Sequence, residues 1–129
     1  MLFWQLYKLE ITMSNASSVR IRYEILRSLD WTLVTANYVA VGTPLQHPAR
    51  ILKLSNATDA DMLISFNGVD DHDFVGGNSY FLYDYGTNRS GTGNELEQQM
   101  GDRVYVKSAD GTLPSTGSIY LTLIYASDN

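Results

Sequence analysis

The sequence predicts an all-β chain folding as a single-domain antiparallel β-sandwich, jelly-roll-like, with seven to eight strands. Three observations predict it. Short apolar or alternating segments rich in β-branched and aromatic residues recur along all 129 residues. Glycine-, proline- or asparagine-containing turn signals separate them. Only Glu95-Leu96-Glu97-Gln98-Gln99-Met100 has the composition of a helix, and it is short.

The segments run in order as follows. Val19-Arg20-Ile21-Arg22-Tyr23-Glu24-Ile25 alternates strictly, so its apolar side chains are expected on one buried face and its charges on the other. Tyr38-Val39-Ala40-Val41 is a short strand closed by Gly42-Thr43-Pro44. Arg50 to Asn56 is a strand that runs into the polar turn Asn56-Ala57-Thr58-Asp59. Met62 to Phe66 follows, with Asn67-Gly68 behind it, a tight-turn signal because both residues tolerate positive φ. Ser79 to Tyr85 is aromatic-rich and suits a pleated surface. Thr87 to Asn94 reads as a polar loop, Arg103 to Lys107 as a strand and Ala109 to Thr112 as a turn. Ile119-Tyr120-Leu121-Thr122-Leu123-Ile124-Tyr125 is the strongest strand, expected to be central and buried on both faces.

Composition narrows the function. A hydrophobic fraction of 44% and a charged fraction of 18% are those of a globular chain. There is no cysteine, which excludes disulfides, thiolate metal sites and cysteine nucleophiles. A net charge of -5 disfavours nucleic acid as a partner, since phosphate binding wants a basic face. The charge is uneven. Residues 1–53 carry six cations against three acids, whereas residues 54–102 carry Arg89 alone against nine acids. Such polarity can orient copies head to tail or dock the chain on a basic surface. No run of residues is apolar and long enough to span a membrane as a helix. Gln5 and Lys8 interrupt the apolar start, so no secretory signal is expected, and the three Asn-x-Ser/Thr triplets at Asn15, Asn56 and Asn88 read as chance occurrences.

The chemistry-bearing residues are few. Asp70, Asp71 and Asp73 flank His72 in the most charged loop and are weak candidates for a hard cation such as calcium, although the EF-hand pattern is missing. No Gly-x-Ser-x-Gly motif accompanies the Asp-His pair. Glu95 and Glu97 are a carboxylate pair with no sugar cleft to mark them. No phosphate-binding glycine loop is present. The nine tyrosines and two tryptophans fit core packing better than a stacking platform. The expectation is a non-enzyme with no cofactor, no metal, no nucleic acid and no membrane.

The chain divides into residues 1–12, an N-terminal arm or an upstream-start extension, and residues 13–129, the sandwich. If Leu9-Glu10 is encoded TTG-GAG, a ribosome-binding sequence precedes Met13, which would then be the start. As an arm, Phe3, Trp4, Leu6 and Tyr7 are apolar contact candidates, able to add a strand to a neighbour or to the same sheet. Asn67, Asp70, Asp71, His72, Asp73 and Arg89, on the two polar loops, are the other candidates.

The arrangement of Arg27-Ser28-Leu29, Tyr38 to Leu45, Pro48-Ala49-Arg50-Ile51, Asn56 to Asp59, Ile64 to Val69, Asp84 to Asn88 and Gly117 to Tyr125 resembles small virion structural proteins of tailed bacteriophages. The likeness spans roughly residues 19–126 and consists of turns and strands. It implies a capsid-decoration, neck, adaptor or tail-associated β-sandwich, present in many copies or as a homo-oligomer. Its partners would be capsid, portal or tail proteins and copies of itself. It would be made in the host bacterial cytoplasm and located in the virion. The alternative is a carbohydrate- or receptor-binding β-sandwich module.

Overall fold

The computed structural model describes residues 20–88 and 98–127. Nine strands form two antiparallel sheets, and the described residues contain no α-helix. The strands are β1 (Arg20–Tyr23), β2 (Arg27–Asp30), β3 (Val39–Ala40), β4 (Ile51–Asn56), β5 (Met62–Ser65), β6 (Asp73–Val75), β7 (Ser79–Asp84), β8 (Tyr105–Ser108) and β9 (Ser118–Ser127). The larger sheet has the order β1-β9-β4-β7, with β2 also paired to β9, and the smaller has the order β3-β8-β5-β6.

β1 and β2 lie one after the other along the same edge of β9. Tyr23 pairs with Ile124 and Arg27 with Leu121, so Glu24, Ile25 and Leu26 face only Thr122 and Leu123. The extra residue is a β-bulge, and the two segments are one bent strand. Counted so, eight strands are arranged first-eighth-third-sixth in one sheet and second-seventh-fourth-fifth in the other. That is the jelly-roll order, so the expected sandwich and strand number stand.

The core lies between the sheets. Leu29, Leu52, Leu54, Ile119, Leu121 and Leu123 from the larger sheet meet Met62, Ile64, Val75 and Val106 from the smaller one. Buried Val34, Val41, Leu45, Ala49 and Val104, outside the strands, belong to the same core cluster. Six-residue β4 alternates half-buried and buried throughout, which matches one face on the core and one turned outward.

Two burial expectations are corrected. By its alternation β1 should bury its apolar face, but it is exposed throughout, with Ile21 66% and Tyr23 69% exposed. The bulge is the reason, because one inserted residue reverses which parity meets the core. All four residues of β1 are exposed, and Ile21 and Tyr23 pair with Ala126 and Ile124 on the outer face, whereas Arg27 and Leu29 point in from β2. β9 is central as expected, but it is fully buried only at Ile119, Leu121 and Leu123, and Tyr120 on its other face is exposed. β2 and β6 are strands that the pattern did not announce, being short and half polar.

The Asn56 turn is a polar hub inside the fold. The buried Asn56 amide donates to the Ala60 carbonyl at 2.8 Å and the Gly76 carbonyl at 3.1 Å. Its oxygen accepts from the Thr58 amide at 3.1 Å and the Thr58 hydroxyl at 2.6 Å. It thereby ties the β4–β5 turn to the β6–β7 turn. Gly117, at φ +92, packs so tightly on this turn that an added Cβ would lie 1.9 Å from the Ala57 oxygen.

Candidate contact surface

The acidic hairpin between β5 and β6 holds most of the residues singled out from sequence. Asn67 organises its tip. The Asn67 side-chain oxygen accepts from the amides of Val69 and Asp70, both at 2.9 Å, and its amide donates to the Asp70 carboxylate at 2.8 Å. Gly68 follows with φ +80, as an Asn-Gly turn requires. Asp71 accepts the Tyr38 hydroxyl at 2.5 Å and lies 3.4 Å from the Lys107 ammonium. Asp73 accepts from the Tyr83 hydroxyl. His72 accepts the Phe66 amide on Nδ1 at 3.0 Å.

The three aspartates thus turn to three different partners. Among the described residues no three His, Cys, Asp or Glu side chains are grouped to hold a metal ion. The Tyr38 hydrogen bond and the Lys107 charge hold the Asp71 carboxyl below its ordinary range. Burial, followed by the hydrogen bond to Asp73, pushes the Tyr83 hydroxyl up. Asp70 thus holds the hairpin tip, while Asp71 and Asp73 tie the hairpin to Tyr38, Lys107 and Tyr83 outside it.

The outer face of the larger sheet is different. Its pairing sets three ranks of side chains across the strands. Tyr23, Ile124, Ile51 and Asp84 form one, Thr122, Lys53 and Leu82 the next, and Ser28, Tyr120, Ser55 and Tyr80 the third. Tyr80 is 64% and Leu82 49% exposed on β7, and Tyr120 on β9 and Tyr23 on the opposite edge strand are exposed as well. Lys53 supplies the one cation of the three ranks and lies 4.9 Å from the Tyr80 ring centroid. Exposed tyrosine rings and a leucine thus stand among serine, threonine, lysine and aspartate side chains on this face, and aromatic rings are enriched at contact surfaces.

A third feature was not singled out from sequence. The β1–β2 bulge turns Glu24 and Arg27 into one corner. The Glu24 side chain, 2% exposed, accepts Arg27 Nη2 at 2.7 Å, the Gln46 amide at 3.1 Å and His47 Nδ1 at 2.6 Å. Arg27 also donates to the carbonyls of Thr43 at 2.8 Å and Pro44 at 2.9 Å. The His47 ring stacks on Tyr125 at 3.7 Å with planes 2° apart. Burial alone would raise the Glu24 carboxyl. The hydrogen bonds from Arg27, His47 and Gln46 and the Arg27 charge outweigh it, and the net shift is downward. A shallow cleft of about 330 Å³ opens beside Arg27, between Ile25, Leu26 and the Gly42–Gln46 loop. The sequence held one signal for the corner: a Glu and an Arg three residues apart in a strand pattern, which only a bulge can bring to one side.

Phe3, Trp4, Leu6, Tyr7, Arg89, Glu95 and Glu97 lie outside the described residues, as does the 1–12 boundary. No protein-family model matches the chain, and no curated protein matches it.

Proposed function

We propose that this chain is a non-enzymatic structural component of a tailed-phage virion, a capsid decoration or a neck- or tail-associated protein, working by protein–protein contact. The observation that carries the contact part is the outer face of the larger sheet, where Tyr80 and Leu82 on one edge strand, Tyr120 on a central strand and Tyr23 on the other edge strand are exposed. The phage assignment rests on the turn-and-strand resemblance described above. The jelly-roll order agrees with it, since capsid domains use that architecture, but so do lectins, and a fold alone does not fix a function. The partners are capsid, portal or tail proteins and further copies of the chain, and its place is the virion.

The test is the particle itself. Mass spectrometry of purified virions should find the protein in multiple copies. Presence in the infected lysate with absence from the particles would overturn the reading. The double variant Tyr80→Glu with Leu82→Lys should bind depleted particles at least tenfold more weakly, while its stability stays within about 0.5 kcal/mol of the parent, as for exposed sites.

One observation favours the second reading, a carbohydrate- or receptor-binding module. Tyr80 borders a cleft of about 250 Å³ lined also by Ser55, Asn78 and Ser79, which offers a ring beside hydroxyl and amide groups. Glycan-array binding that is lost in Tyr80→Ala would favour it.

A further inference from the structure

The Asn67-Gly68 turn at the tip of the β5–β6 hairpin carries a reactive pair of groups. Asparagine is chemically labile. Its side-chain Cγ is attacked by the backbone nitrogen of the next residue, and glycine hinders that attack least because it has no Cβ. The fold requires the glycine here. Gly68 has φ +80, and an added Cβ would lie 3.3 Å from the Tyr105 ring. Asn67 is exposed, so water reaches it.

The closed tip keeps the two groups apart. The new bond to Cγ forms in the plane of the peptide, along the direction that the N–H takes. In the folded chain that N–H is aimed elsewhere: Gly68 donates to the Ser65 hydroxyl at 2.8 Å. Ser65 is fully buried on β5, so this acceptor is anchored. The same hydroxyl accepts the Asn67 backbone amide at 3.2 Å and donates to the Asn67 side-chain oxygen at 3.0 Å. That oxygen also accepts from the Val69 and Asp70 amides, and the side-chain nitrogen donates to the Asp70 carboxylate. The Asn67 side chain is thus held at its oxygen and at its nitrogen.

We infer that Asn67 is a one-way modification site, guarded by Ser65 and Asp70, whose amide is lost to water when the hairpin tip opens locally. On opening, the Gly68 nitrogen turns to Cγ and gives its proton to water. The N–Cγ bond forms, the Cγ–Nδ2 bond breaks, and Nδ2 takes a proton from water and leaves as ammonia. A second water opens the cyclic imide. Attack at Cγ gives aspartate, and attack at the main-chain carbonyl carbon gives isoaspartate. The net change consumes one water and releases one ammonia, with no oxidant or reductant. Neither product restores the tip. Aspartate sets a second carboxylate where Nδ2 donated to Asp70, and like charges repel. Isoaspartate runs the main chain through the side-chain carbon, adding one methylene, and leaves its free carboxylate at the same tip. The inference does not rest on the virion reading.

Peptide mapping of the full 129-residue chain, aged in mildly alkaline buffer, measures the conversion. Exposed Asn37 and Asn78 are internal references, since Tyr38 and Ser79 follow them and carry side chains that hinder attack. In concentrated urea Asn67 should convert at least tenfold faster than either reference. Equal conversion of the three there would overturn the site. In the folded chain the Asn67 rate should fall at least tenfold below its rate in urea, and an equal rate would overturn the guard. Ser65→Ala should raise the folded rate at least threefold, roughly the effect of one lost hydrogen bond. Asp70→Ala should do the same, and this exposed position keeps the test open if Ser65→Ala fails to fold. Ile119→Val, a core change beside the Asn56 turn, should leave the folded rate within twofold of the parent. Acceleration by Ile119→Val equal to that of the tip variants would overturn the guard, because opening would then be global. Hydrogen exchange of Asn67→Asp tests the one-way step. The Gly68 and Val69 amides should exchange at least threefold faster than in the parent, and unchanged exchange would show that the tip re-forms.

Discussion

Two charged regions of this protein do opposite things with similar groups. At the β1–β2 corner a carboxylate, a guanidinium and an imidazole are drawn together, and the carboxylate is almost wholly out of solvent. In the β5–β6 hairpin the acids stand mostly in water, each bound to a different partner. The hairpin is the region that a list of charged residues brings forward. The corner is the one where charge matters to the fold, because a buried charge must keep its partners while an exposed one can take them from water.

Removing a partner from each region gauges the difference. The largest effect is expected for Arg27→Met. It leaves Glu24 buried without its cation and frees the carbonyls of Thr43 and Pro44, at a cost of roughly 3–5 kcal/mol. Urea denaturation measures this, and a loss under about 1 kcal/mol would put the corner on a par with the hairpin. The next effect is on acid stability. The Glu24 carboxyl is lowered in the folded state, so its contribution is present above the unfolded carboxylate value of about 4.3 and is lost as pH falls through the lower folded value. Glu24→Gln should therefore flatten the fall in stability below about pH 4.3. Part of the slope will remain, since Asp30, Asp59, Asp71 and Asp110 are also lowered. An unchanged slope would show that the corner does not contribute to it.

Smaller effects follow at the half-exposed and exposed positions. His47→Ala removes the stack on Tyr125 and one hydrogen bond to Glu24, and should cost about 1 kcal/mol in thermal or urea unfolding. The smallest is expected for Asp71→Asn, within about 0.5 kcal/mol, because its ion pair with Lys107 is exposed to water. A cost above about 2 kcal/mol there would make the hairpin a structural clamp of the same rank as the corner.

Much of the sandwich was legible along the chain. β4, β5, β7, β8 and β9 fall where β-branched and aromatic runs stand between turn signals, because a half-buried pleated strand selects such residues directly. The Asn67-Gly68 turn was legible for a similar reason, as few residues accept positive φ. β2 and β6 were not, being short and half polar, with their identity supplied by the neighbours they pair with. Of the candidate residues, Asn67 and Asp70 to Asp73 were recognisable as a cluster, but their separate partners Tyr38, Lys107 and Tyr83 come from distant strands. The exposed ranks of the larger sheet were hidden too, since a tyrosine or leucine in a strand reads alike whichever face it takes.

What the sequence determined by itself was local: which stretches extend, which residues turn, and how apolar and charged side chains alternate. These follow from backbone sterics and side-chain shape over a few neighbours. The tertiary structure alone decided which face of each strand is inside. One extra residue at Glu24–Leu26 against β9 turned Ile21 and Tyr23 outward and brought Glu24 beside Arg27 and His47. No local rule contains that outcome, because parity at a bulge is set by the strand across from it.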